Sequence, residues 1–488
     1  MTAAKVQAAL GQIPDLVQGL MDQTGVPGIG VGVVYQDEVV FAEGFGLREI
    51  GGDLPVDADT VFQIASASKP IASTVVAALV GEGHLTWDTK VADIDPSFAL
   101  GDPWLTANVT VADLFSHRSG LADHAGDTLE DLGGDRELVL HNLRYLDPEG
   151  PFRAHYAYTN FGLTAGAVAA ATAAGGTWED LSDEKLYEPA GMASTSSRYS
   201  DYIARENRAA LHQIDGDTWV RGFDRQPDAQ SPAGGVSSSM RDMCQWLRLQ
   251  LGNGTLDGEQ LVDAAALGKT HLQQAMNNVP ADPNIEAPGF YGFGWNVQYN
   301  PQGLSQVSHS GAFASGAATT VYVLPQDQMG IVVLTNGIPL AVAETIALSI
   351  IDLSRSEKVL HDYLAIIGPI IEAAARPAYG AAVAEAPASV DPPAAPETYL
   401  GIYENDFYGP LDVVPDGEHL AIILGANGDT FPLAHFTRDV YTFEPTGENG
   451  GNSAAVTFTV ESDGVASQVV VENLDLYGAG TFVRPATA

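Results

Sequence analysis

The chain has 488 residues, 45% of them apolar, with 62 acidic against 22 basic side chains and a formal net charge of -40. That charge excludes a nucleic-acid backbone or an anionic membrane surface as partner and disfavours a polyanionic substrate. The apolar content supports a packed core, and the length suggests two or three domains.

The acidic excess reads as a solvated shell that keeps the chain in solution, and with so few lysines it also fits a high-salt setting. The single cysteine, Cys244, excludes an intrachain disulfide. It falls within a helical pattern from Arg241 to Leu251, which makes it a packed small hydrophobe and not a nucleophile.

From the N-terminus, Met1 to Met21 reads as one amphipathic helix on Val6, Leu10, Ile13, Val17 and Leu20. It lacks the basic, apolar and small-residue succession of a signal peptide, and no apolar tract is long enough to span a membrane, so the chain is read as soluble: cytoplasmic, or exported with its signal absent. Gly28 to Tyr35 and Val39 to Phe45 form an antiparallel hairpin around Gln36-Asp37-Glu38.

The pattern then turns helical from Ile71 to about residue 285, over Ile71 to Glu82, Val111 to Phe115, Arg136 to Leu146, Asn160 to Ala173, Trp178 to Leu186 and Met240 to Leu251. This predicts an all-helical inserted lobe. Strand patterns return over Tyr291 to Tyr299, Gln306 to His309, Ala317 to Leu324 and Met329 to Thr335, closed by a helix from Leu340 to Leu353. One antiparallel sheet begun near the N-terminus, completed by these strands and flanked by terminal helices is an α+β architecture, with a cleft between sheet and lobe.

Residues 376–396, rich in Ala and Pro, read as a linker or crossover between a unit at 1–375 and another at 397–488. Beyond it, short strands separated by turns such as Pro415-Asp416-Gly417 and Ser462-Asp463-Gly464 make a meander of about eight strands, enough to close as a barrel.

Chemistry concentrates in Ser66-Ala67-Ser68-Lys69, at the mouth of the uncharged run Ile71 to Val80. At i and i+3 on a helix, Lys69 reaches the Ser66 hydroxyl and can take its proton once burial lowers the amine pKa. The same spacing recurs in Ser182-Asp183-Glu184-Lys185, but among acids, where Lys185 offsets carboxylates. The bland alternative for Ser66 and Lys69 is an N-cap serine beside a snorkelling lysine.

Acyl transfer also needs a second proton-handling group and backbone donors for an oxyanion. Tyr158-Thr159-Asn160 precedes a helix, and His309-Ser310-Gly311-Ala312 lies on a strand where glycine permits close approach. Tyr403-Glu404-Asn405 and His124-Ala125-Gly126 repeat these patterns, the first inside the barrel and the second in a loop without a following strand.

These three elements, in this order, resemble the active-site motifs of the serine β-lactamase and penicillin-binding-protein superfamily, in its class C-like branch of esterases and D-amino-acid peptidases. Asp113 to Leu121, Gly234 to Ser238, Tyr291 to Trp295 and Leu334 to Asn336 are similar to that branch's recurrent segments, and the resemblance covers about residues 10 to 355. The Tyr399-Leu400-Gly401-Ile402-Tyr403 segment and the hairpins after it look like the lipocalin-like domain attached to some of these hydrolases, where the barrel packs beside the cleft and limits access to it.

The resemblance implies Ser66 as nucleophile, Lys69 and Tyr158 as proton carriers, Asn160 as orienting amide, and the Ser66 and Ala312 backbone amides as oxyanion hole. It implies Ser310 and Gly311 as substrate-binding and His309 as a group near the leaving group, whose imidazole is expected to change charge near neutral pH. No metal or cofactor is expected. His309 stands where β-lactamases of the superfamily carry the lysine of a Lys-Thr-Gly element, which removes a cation for a substrate carboxylate and implies weak or no β-lactamase activity.

The absence of a recognisable deacylation glutamate implies the Tyr158 route. The expected substrates are small esters or short peptides, D-residues among them. A thioesterase or peptide cyclase of the same fold, and a catalytically silent peptide-binding sensor, are the alternatives. Apolar barrel edges leave room for homo-oligomers.

Overall fold

A computed structural model of the chain describes residues 1–281, 287–300, 302–387 and 389–486. Its first strand in chain order, Gly28–Tyr35, is buried along its whole length because both faces are covered. It lies in an eight-stranded antiparallel sheet ordered Glu38–Gly46, Gly28–Tyr35, Met329–Thr335, Ala317–Leu324, Ser305–Phe313, Asn296–Tyr299, Gly289–Tyr291 and Ala275–Asn278.

On one face Ile29, Val31, Val33, Ile331 and Val333 pack against Val6, Val17, Ile346 and Ile350 of the terminal helices. On the other, Gly30 and Gly32 let the Met240–Leu251 helix come close: a Cβ at Gly32 would lie 2.6 Å from the Cys244 sulfur. Cys244 is therefore a packing residue, and burial pushes its thiol up to about 12.

Several local expectations need correction. The N-terminal segment is two helices, Ala3–Leu10 and Ile13–Thr24. Gly11 ends the first, and Pro14, in the first turn of the second, lacks the N–H that a continuous helix would use. The inserted lobe is not all-helical. It also carries the hairpins His212–Asp215 with Thr218–Arg221 and Thr255–Leu256 with Glu259–Gln260, and its Ala275–Asn278 strand joins the large sheet. Asp257 and Gly258 have φ of 51° and 86°, the pair of positive values that a two-residue hairpin turn requires. The expected end of the lobe near residue 285 lies outside the described residues.

The strand expected over Tyr291 to Tyr299 is broken by Gly292 to Trp295. Gly294, at φ 74°, turns the chain so closely over the Ser68–Gly81 helix that a Cβ there would lie 2.7 Å from the Lys69 carbonyl oxygen. An unexpected helix, Tyr363–Ala374, follows the terminal helices with none of its residues buried.

The C-terminal meander is a second eight-stranded antiparallel sheet, running in sequence order from Gly401–Tyr403 to Thr481–Val483. Its first and last strands meet through reciprocal backbone hydrogen bonds between Glu404 and Val483, at 2.8 and 2.9 Å. The barrel is thus nearly closed. Tyr399, Tyr403, Phe458 and Phe482 fill its interior.

The barrel packs on the lobe. The Tyr408 hydroxyl meets Thr128 Oγ1 at 2.8 Å, Asn142 donates to the Phe407 carbonyl at 2.7 Å, and Asp131 accepts from the Glu448 and Asn449 amides at 3.0 and 2.8 Å.

Candidate active site

A short strand, Val61–Gln63, pairs with Ser237–Ser239 and delivers the chain to a tight turn. Ala65 holds φ at 48° there, a left-handed conformation that costs a non-glycine residue about 1 kcal/mol. The turn aims Ser66 out of a 3-10 segment, Ala65–Ala67, just before the Ser68–Gly81 helix. The apolar run behind it, Ile71 to Leu79, is buried and carries Lys69 with it into the interior.

The Lys69 amine touches three oxygens: Ser66 Oγ at 3.0 Å, Asn160 Oδ1 at 2.7 Å and the Ala233 carbonyl at 3.0 Å. Burial lowers its pKa to about 7, against a smaller opposing pull from Asp127. A neutral amine has two protons and one lone pair. Asn160 Oδ1 and the Ala233 carbonyl can only accept, so they take the two protons, and the lone pair is left facing the Ser66 hydroxyl. The Tyr158 hydroxyl donates to Ser66 Oγ at 3.0 Å, and the amine lies 4.5 Å from its ring centroid. Burial raises the phenol well above its ordinary range, so it stays protonated.

Sequence reasoning gave no site role to the residues that hold Tyr158 and Asn160 in place. Asp123 Oδ1 accepts from the Tyr158 backbone N–H at 2.8 Å, and His117 Nδ1 accepts from the Thr159 N–H at 3.1 Å. Asp127 Oδ2 accepts from Asn160 Nδ2 at 2.8 Å. His124, set aside above as a repeat of the His pattern, donates its backbone N–H to the Tyr158 carbonyl at 2.7 Å and lies beside the Tyr158 ring, tilted by 45° with centroids 5.5 Å apart. His117 had a signal in the segment Ser116 to Gly120. Asp123 and Asp127 had none, being polar residues of a loop region that only the fold brings to the site.

His309 lies 6.4 Å, ring to ring, from Tyr158, but both of its nitrogens are engaged within the protein. Nδ1 donates to the Ser310 carbonyl at 2.6 Å, and Nε2 accepts from the Tyr291 hydroxyl at 2.8 Å. Burial, aided by the Lys69 charge, pushes its pKa down to about 3. The charge change expected of His309 near neutral pH is therefore absent. The Ser310 hydroxyl, expected among the substrate contacts, is not brought to the site: it bonds Thr320 Oγ1 at 3.0 Å and neighbours Glu344 of the terminal helix.

Gly311 is placed against the Ser66 turn, where a Cβ would lie 2.3 Å from the Ile64 carbonyl oxygen and 2.7 Å from the Ser66 amide nitrogen. Ala312 follows it, exposed, on the same strand. Since backbone atoms cannot yield as a side-chain tip does, Gly311→Ala should force the strand away from Ser66. A lowered melting temperature, from an overpacking cost of about 1 to 3 kcal/mol, together with reduced ester turnover is the expected result, read by thermal denaturation and p-nitrophenol release.

The rival motifs resolve as packing. Ser182 is buried with its hydroxyl on the Trp178 carbonyl at 2.8 Å, and Lys185 pairs with Glu82 and Glu184, each at 2.9 Å. The Tyr403 hydroxyl is capped inside the barrel by the Tyr399 carbonyl at 2.7 Å. Among the described residues no helix is long and apolar enough to cross a membrane.

A serine turn capped by a buried lysine, a tyrosine and an asparagine, beside a strand of a large antiparallel sheet, is the arrangement this fold builds. The family model for β-lactamase matches residues 13–352, and the chain belongs to that family. A model for a domain of unknown function, DUF3471, matches residues 385–479.

An unguisins hydrolase from Aspergillus violaceofuscus is 25% identical over 334 residues, covering 64% of this chain and 58% of the relative. A D-aminopeptidase from Brucella anthropi is 29% identical over 310 residues, covering 59% and 52%. The match thus spans little more than half the length of these relatives. The octameric penicillin-binding protein homologue from Pyrococcus abyssi has the same fold, with a TM-score of 0.61 at 20% identity over 97% of this chain and 99% of that one.

Proposed function

We propose that the chain is a serine hydrolase that forms an acyl-enzyme on Ser66 and acts on small esters or on amides of short peptides. The observation that carries this reading is the convergence on Ser66 Oγ of a lysine with its pKa lowered to about 7 and a protonated tyrosine, each 3.0 Å away. Ser66 attacks the carbonyl while its proton passes to Lys69. The developing oxyanion is met by the Ser66 and Ala312 backbone amides, a contribution of about 3 kcal/mol per donor in other hydrolases.

Tyr158, held as a phenol, donates its proton to the leaving group and is reprotonated by the Lys69 ammonium, which returns to the neutral amine while Ser66 Oγ remains as the ester oxygen of the acyl-enzyme. Water then releases the acyl group by the reverse path. Asn160 holds the amine by accepting one of its protons. His309 supports Tyr291 and the strand from which the acyl group is approached; the lack of a cation at that position supports weak or no β-lactam turnover. The relative named as a D-aminopeptidase supports D-residues among the substrates. The hydrolase unit is taken as residues 1–375, joined through 376–396 to the barrel at 397–488.

A panel of p-nitrophenyl esters, D- and L-aminoacyl p-nitroanilides and a chromogenic cephalosporin tests the reading. Ester or D-anilide turnover well above that of the cephalosporin is expected. Turnover of none of them, with no acyl adduct in the intact mass, would favour the silent sensor.

A further inference from the structure

The buried carboxylate of Asp127 has no part in the steps above, yet it is one residue removed from the base. Asn160 bridges them: its Nδ2 donates to Asp127 Oδ2 at 2.8 Å while its Oδ1 accepts from the Lys69 amine at 2.7 Å. A primary amide can turn over and exchange these two ends. Were it reversed, Nδ2 would face the amine, and Lys69 would have to spend its lone pair on Asn160 instead of Ser66. Burial raises the Asp127 carboxyl to about 7, but Oδ1 is the oxygen left without a partner among the described residues, so a proton held there leaves Oδ2 an acceptor toward Asn160 Nδ2 and still disfavours the reversal. Asp127 thereby selects the one orientation of Asn160 that leaves the Lys69 lone pair on the nucleophile.

Asp127 opens the short helix Asp127–Asp131, which the barrel grips at Thr128 and Asp131. Its other oxygen, Oδ1, is buried with no hydrogen-bond partner among the described residues. A buried carboxylate left half-satisfied weakens a fold, and such a cost is tolerated where function needs the group.

We infer that Asp127 is a positioning residue of the catalytic site, fixing the Asn160 amide so that Lys69 presents its lone pair to Ser66. This rests on the reading of Lys69 as the base of Ser66. The charged and titratable groups facing Asp127 are Lys69, His124, Glu130, Tyr158 and, from the barrel, Tyr477. Of these, Lys69 feels the carboxylate as an upward pull on its pKa, so removing the charge moves Lys69 further down.

Two variants of the full chain separate orientation from charge. Asp127→Asn keeps an oxygen that can accept from Asn160 Nδ2 but removes the charge. Being itself an amide that can turn over, it weakens the selection without abolishing it: kcat should fall by less than in Asp127→Ala, and the acid limb of the kcat/KM profile should shift to lower pH. Asp127→Ala removes both, and kcat should fall about tenfold, the size of one lost hydrogen bond to a charged group, with KM little changed and a melting temperature equal to or above that of the parent.

An Asp127→Asn profile superimposable on the parent's, or a melting temperature that falls in step with activity in both variants, would overturn the inference and leave a structural residue. Acyl labelling of the parent at Ser66, followed by intact mass, keeps this distinct from failure of the underlying reading: an unlabelled Ser66 refutes the mechanism, whereas a labelled Ser66 with an unmoved profile refutes only the role of Asp127.

Discussion

Ser66→Ala should leave no acyl adduct after incubation with an activated p-nitrophenyl ester and should lower turnover by about three orders of magnitude or more, the scale on which nucleophile deletions act in other serine hydrolases. The substitution removes the hydroxyl and leaves Cβ in place, so neither neighbour has to move. Lys69 and Tyr158 lose the oxygen they converge on at 3.0 Å. Intact-mass spectrometry reads the adduct and p-nitrophenol release reads the rate. An adduct of unchanged stoichiometry on the Ser66→Ala protein would place the nucleophile elsewhere.

Lys69→Met should lower kcat/KM by about 10²- to 10⁴-fold, the range of a general base, while the protein remains folded. Methionine fills a similar volume and has no charge to desolvate, so loss of activity through unfolding is not expected.

In the parent protein kcat/KM should rise with pH through about 7, because the amine must lose its proton to serve as base and burial lowers its pKa to that value. Below that point Lys69 is an ammonium and activity is lost; above it activity reaches a plateau. His309 cannot produce this limb, since its imidazole is neutral down to about pH 3. A profile flat from pH 5 to 9, or a Lys69→Met protein with more than a tenth of the parent rate, would remove Lys69 from the role of base.

How far the chain could be read in advance depended on the range of the interactions concerned. Strand-forming runs and turn residues are local, and the strands Ala317–Leu324 and Met329–Thr335 stand where their patterns placed them. The helices Val111–Phe115 and Met240–Leu251 do likewise. Reading failed where a local signal was passed over, as with Pro14 and the Asp257-Gly258 turn. It also failed where tertiary contact overrode pattern, as at Gly292 to Trp295, which leaves the sheet to pack on the helix of Lys69.

The site divides in the same way. Ser66 and Lys69 are three residues apart on one turn, so their meeting is a property of the sequence. Tyr158 and His309 were recognisable only from motif order. His124 was noticed only as a repeat of the His pattern, and Asp123 and Asp127 carried no usable local pattern, because a loop and a helix of five residues are too short to leave a periodicity.

By itself the sequence determined the chemistry at hand: a hydroxyl, an amine and a phenol in the right succession, within an α+β frame followed by a barrel. Only the tertiary structure decided the protonation states, because these depend on burial. It leaves Lys69 near neutrality, Tyr158 a phenol and His309 uncharged. It also decided the orientation of the Asn160 amide, which depends on a carboxylate 33 residues away along the chain.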